Sequence, residues 1–115
     1  MQIFRVQDRE GRGPFKPGMT LKWLDKNKDI SQLPAGQEFA DLYSGLDRKK
    51  LHYAFGCDTL DQLMKWFSLA ELSKLRGLGY QVVKMRADEI IATSKTQLLF
   101  GRKKHLAAHC KIVEI

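Results

Sequence analysis

Two helix-start signatures, Thr59-Leu-Asp-Gln62 and Ser68-Leu-Ala-Glu71, set the strongest limit on the fold of this chain. In each, a hydroxyl at the N-cap position is followed three residues later by Gln or Glu. The two side chains can then satisfy backbone N–H groups at both ends of the first turn. After the first signature, Leu60, Leu63, Met64 and Phe67 fall at i, i+3, i+4 and i+7, a one-sided apolar face. The spacing predicts a helix over 59–67. The second helix, 69–77, must begin at once, so the chain has to turn at Ser68. Leu69, Leu72 and Leu75 are its expected stripe, and Gly77 and Gly79 are suited to end it with a left-handed residue. Two short helices with one apolar face each need something to pack on.

The flanking segments supply it. Residues 2–7 (QIFRVQ), 51–55 (LHYAF), 80–86 (YQVVKMR), 96–100 (TQLLF) and 109–114 are rich in β-formers, and 89–92 is a further short candidate. The expectation is an α+β fold, with about five mostly antiparallel strands in one sheet and the helix pair 59–67 and 69–77 on one face. The 115 residues, 43% of them apolar, suit a single domain spanning 1–115 with one core. No apolar run approaches the ~20 residues that span a bilayer.

Between the first and second strands the reading is looser. Gly11, Gly13, Pro14, Pro17 and Gly18 mark a loop that also carries Arg9, Arg12, Phe15 and Lys16. Residues 25–29 (DKNKD) imitate the start of a calcium loop, but Ile30 stands where that loop needs Gly and Gly36 where it needs Glu, so no metal is expected. Residues 34–43 could form one short helix. Trp23 and Phe15 are open as core or interface.

Charge bears on function. Twenty Lys and Arg against thirteen Asp and Glu give a net +7, and residues 59–115 hold most of the excess. A basic face favours an acidic protein surface or nucleic acid. The candidate contacts are Arg9, Arg12 and Lys16 on the first loop and Arg102, Lys103 and Lys104 on the last. The second helix has no run of Arg, Asn and Gln able to read base edges, which argues against a sequence-reading helix-turn-helix. Charges occupy the N-terminal positions where a signal peptide would be apolar, so a cytoplasmic setting with Cys57 and Cys110 as reduced thiols is expected. His52, His105 and His109 form no helical metal pair, and no Ser or Cys sits in a nucleophile context.

Two family resemblances add to this. The stretches IFRVQDREGRGPFKPG and HYAFGCDTLDQLMKWF look like small bacteriophage and prophage proteins. That likeness implies an accessory protein of the host bacterial cytoplasm, without a cofactor, that occupies a host macromolecule such as a defence or nucleic-acid-processing complex. Separately, a first strand with Arg5, a middle strand entering a helix (HYAFGCDTLDQL) and a late strand after SKTQ resemble the ADP-ribosyltransferase-like fold. This second likeness implies that Arg5 meets a nicotinamide-adenine dinucleotide, that Tyr53 and Thr59 line its pocket, and that Gln97 orients the ribose. It requires Arg5, Tyr53 and Gln97 to converge on one cleft. Non-enzymatic binding leads; the enzyme and a non-specific nucleic-acid-binding domain stand as alternatives.

Overall fold

The computed structural model describes residues 1–13, 45–46 and 49–114. Lys16, Phe15, Trp23, the calcium-like run and the expected helix over 34–43 lie outside them. The described elements, in order, are β1 (Gln2–Gln7), β2 (His52–Gly56), α1 (Leu60–Met64), α2 (Leu69–Gly77), β3 (Gln81–Arg86), β4 (Glu89–Thr93), β5 (Leu98–Arg102) and β6 (Lys111–Ile112). The α+β class stands, but the single sheet does not. The strands form two three-stranded antiparallel sheets, β1-β3-β6 and β2-β5-β4.

One side chain accounts for the division. β1 and the end of β2 share a single bridge, in which Phe4 and Cys57 exchange both backbone hydrogen bonds at 2.8 Å. In an antiparallel ladder the next hydrogen-bonded pair would be Val6 with Phe55. The Phe55 carbonyl instead accepts from Arg5 Nη1 at 2.7 Å. A guanidinium fills the place of the next rung, and the ladder stops there.

The capping box at Ser68 closes in full and the one at Thr59 only in its first half, and both helices cover one face of the β1-β3-β6 sheet. Thr59 Oγ1 accepts from the Gln62 N–H at 3.1 Å, while Gln62 Oε1 accepts from the Asp58 N–H. Ser68 and Glu71 close the reciprocal pair. Leu63, Trp66, Phe67, Leu72, Leu75 and Tyr80 pack with Val6 and Val82 in one core. The first helix is shorter than expected, ending at Met64. Its last turn tightens, with Trp66 N–H on the Leu63 carbonyl, and Trp66 and Phe67 turn into the core. Ser68 then needs the extended backbone of an N-cap (ψ 164°), which a continuing helix could not provide.

Leu69 is not part of the buried stripe; it is 62% exposed. At 3.6 residues per turn it lies about 110° round the helix from the centre of the face made by Glu71, Leu72 and Leu75. The C-terminus follows the expectation. Gly79 takes φ +94°, its N–H reaches the Arg76 carbonyl, and the Tyr80 N–H reaches the Leu75 carbonyl. This is a Schellman closure with Tyr80 packed back on Leu75.

A second core occupies the opposite face: Ile3, Ala54, Val83, Met85, Ala87, Leu98 and Phe100, with Leu106 and Cys110 packed on it from the 103–110 loop. Arg102 fastens this loop. It is 3% exposed and donates to the carbonyls of His105, Leu106 and Ala108. Gln7 adds a bond to the Leu106 carbonyl at 3.0 Å.

Cys57 is buried in the first core, and burial pushes its thiol up to about 12. The folded state therefore keeps the thiol protonated where the unfolded chain, with an ordinary value of 9.0, ionises. The resulting stability is complete below about pH 9 and is lost as pH rises toward about 12. Urea titrations of the native protein and Cys57→Ala across that range should converge or cross as alkali removes this advantage. At neutral pH an alkylating reagent should modify Cys110, which is half-buried, well before Cys57. Equal rates at the two thiols would show that this core opens readily.

Candidate binding surface

The helices cover only part of their face of the sheet. Along β3, alternation puts Val82, Lys84 and Arg86 on that face. Val82 lies in the helix-covered core, while Lys84 is half-buried and Arg86 exposed. β1 contributes Phe4 opposite Lys84 and Gln2 opposite Arg86. β6 sets Lys111 directly opposite Lys84. His109, with φ +50°, turns the chain into β6. Met1, Gln2, Lys84, Met85, Arg86, His109 and Lys111 line an open groove of about 430 Å³. It contains three permanent cations and no carboxylate.

That arrangement is electrostatically unfavourable by itself. Like charges directly opposite across two strands destabilise a sheet. Among the described residues the ion pairs are those of Arg12 with Asp8 and Glu10, and none involves Lys84, Arg86 or Lys111. By sequence Lys84 and Arg86 are strand residues only. Their i, i+2 spacing on one face was the available signal, but it acquires meaning only once β6 returns to bring in Lys111.

The residues expected at the surface behave differently from one another. Lys103 and Lys104 are exposed beyond β5. Arg102 is turned inward and spends its guanidinium on the loop, so it is not a surface contact. Arg12 is exposed but tied to Asp8 at 3.2 Å and to Glu10 at 2.8 Å. Burial pushes the Asp8 carboxyl up, but the N–H groups of Arg12 and Glu10 and the Arg12 charge outweigh it, and its pKa lies below the usual value. Arg9 is exposed on the same turn.

The dinucleotide constellation does not assemble. Arg5 lies on the face of Ile3, Gly56 and Leu98, where it donates to Gln7 Oε1 (2.8 Å), the Phe55 carbonyl (2.7 Å) and the Gly11 carbonyl (2.8 Å). Gln97 precedes Leu98 and is out of phase with it, on the face of Cys57 and Leu99. Tyr53 lies on that same face, against Gly101, while the Thr59 hydroxyl caps α1. Arg5 and Gln97 are thus on opposite faces, and the ADP-ribosyltransferase-like resemblance is not supported.

The His52 and His105 rings meet edge to face at 5.3 Å, and His105 Nδ1 accepts from the Ala107 N–H. Among the described residues no group of three or more His, Cys, Asp or Glu is placed to hold a metal ion. Nor is any helix among them long and apolar enough to cross a membrane.

Neither a curated protein nor a solved structure matches the chain. A family model does, over residues 1–113. The match takes in both β-sheets, both helices and the basic groove, and by it the chain belongs to the bacteriophage T4 Y00F protein family.

Proposed function

We propose that this phage protein is an accessory factor that binds an acidic host macromolecule in the bacterial cytoplasm through its basic groove. The observation that carries the reading is the cross-strand pair Lys84–Lys111 with Arg86 beside it, unrelieved by any carboxylate among the described residues. A sheet tolerates that repulsion at a cost to itself, and an acidic partner removes the cost on binding. Occupying a host protein or a nucleic-acid-processing complex needs no catalytic group, in keeping with a site composed of cations and backbone.

Affinity capture from a bacterial lysate, with and without nuclease, tests this directly. The double variant Lys84→Glu/Lys111→Glu should lose most of the captured partner, and the native complex should weaken as salt is raised. Capture that vanishes with nuclease would identify nucleic acid as the partner. Unchanged capture by the double variant would remove the groove from the function.

A further inference from the structure

The groove ends at an open sheet edge. β6 is the last strand of its sheet and pairs only with β3 among the described residues. The Val113 N–H donates to the Val82 carbonyl at 2.8 Å, so Val113 and Lys111 turn their backbone groups toward β3. By antiparallel alternation the N–H and carbonyl of Ile112 point away from the sheet. The Ile112 side chain is 60% exposed. Among the described residues this edge carries an unpaired donor, an unpaired acceptor and an apolar side chain, a template for another strand.

Side-chain recognition lies beside that template. Next to the basic groove, on the same side of the sheet, a second groove of about 380 Å³ runs between α2 and β6. Leu72, Leu75, Tyr80, Val82, Ile112 and Val113 give it an apolar wall, with Arg76, Gln81 and Glu114 at its margin. Val82 and Lys84 are successive residues on one face of β3, so the apolar and basic grooves follow each other at the strand spacing of about 7 Å for alternate residues.

We infer that β6 is a strand-addition site for an extended, acidic segment of a host protein. The segment would pair with the backbone of Ile112, set carboxylates on Lys84, Arg86 and Lys111, and place an apolar side chain in the groove under α2. This rests on the basic-groove reading and names its partner as polypeptide. Charge complementarity sets the acidic character. The apolar pocket and the open backbone edge favour an extended peptide over a phosphate backbone, which has no group for either. Among the described residues no Phe, Tyr or Trp lines the basic groove to stack a base.

The probe is a ten-residue peptide whose alternate residues, on one face of the strand, run valine, valine, glutamate, glutamate, glutamate with threonine between them; the same peptide with lysine for glutamate and a short DNA duplex are the comparators, followed by fluorescence polarisation. Native protein should bind the glutamate peptide and not the lysine one. Lys84→Glu/Lys111→Glu should weaken binding at least tenfold. Ile112→Pro should also weaken it at least tenfold while leaving the fold intact, because the N–H it removes faces away from β3. Peptide affinity unaltered by Ile112→Pro, or binding of the duplex in preference to the peptide, would overturn strand addition. Lysate capture separates the two levels of the reading. Partner lost with the charge variant but kept by Ile112→Pro leaves the basic surface standing without strand addition, and partner kept by both removes both.

Discussion

Replacing Arg5 by methionine is expected to lower stability by about 3 kcal/mol, read as a lower urea midpoint with an unchanged slope. Two large quantities oppose each other. Burial draws the Arg5 pKa well below the usual arginine range, down to about 10, with Asp8 offering partial compensation, so keeping the charge out of water costs about 3 kcal/mol. Methionine recovers that cost. It also strips donors from the Gly11 and Phe55 carbonyls and from Gln7 Oε1, each worth about 1–3 kcal/mol when left unsatisfied in the interior. The three acceptors together outweigh the single charge. Arg5→Lys keeps the charge but cannot fork to three acceptors, and it should fall between the two. A methionine variant as stable as the native protein would mean that β1 and β2 close their ladder once the guanidinium is gone. The pH dependence has a definite sign. In strong alkali burial makes the folded protein release the Arg5 proton more readily than the unfolded chain does, so this group makes stability rise with pH, opposite to Cys57.

The second large effect is expected at Gly56. A Cβ there would stand 2.5 Å from Ile3 Cγ2 and 3.1 Å from the Phe4 carbonyl oxygen. Ile3 is completely buried and Phe4 is held in the bridge to Cys57, so neither can yield cheaply. Gly56→Ala should cost about 3 kcal/mol, at the upper end for overpacking, and Gly56→Val more. A double-mutant cycle isolates the cause. In an Ile3→Ala background the added methyl has room, so Gly56→Ala should there cost less than about 1 kcal/mol. Equal costs in both backgrounds would place the strain in the backbone instead.

Arg5, Gly56 and the Phe4–Cys57 bridge are one junction, where two small sheets are held together without merging. Its effect on the candidate site is indirect. Among the described residues the β1-β3-β6 sheet is three strands wide, so β6 is an edge close to the helices. The inward turn of Arg102 acts similarly on the other face, where it fixes the 103–110 loop that leads into His109 and β6.

Local chemistry made part of this legible in the chain itself. The N-cap pairs Thr59–Gln62 and Ser68–Glu71, the left-handed Gly79 and the β-rich segments depend on neighbours within a few residues, and each appears where its sequence places it. The basic excess of the C-terminal half was equally plain. What the chain could not disclose depends on distant partners. Arg5 read as a dinucleotide contact and Arg102 as a surface charge because an arginine's burial is decided by carbonyls brought from Phe55 or Ala108, not by its own neighbours. Leu69 read as core because a helical stripe fixes spacing but not which part of the face meets the sheet. Lys84 and Lys111, 27 positions apart in the sequence, form a site only because β6 lies antiparallel on β3. Sequence determined the elements and the sign of the charge; tertiary structure decided which charges are buried and which are gathered, because burial and cross-strand pairing are properties of the packed sheet and not of any single segment.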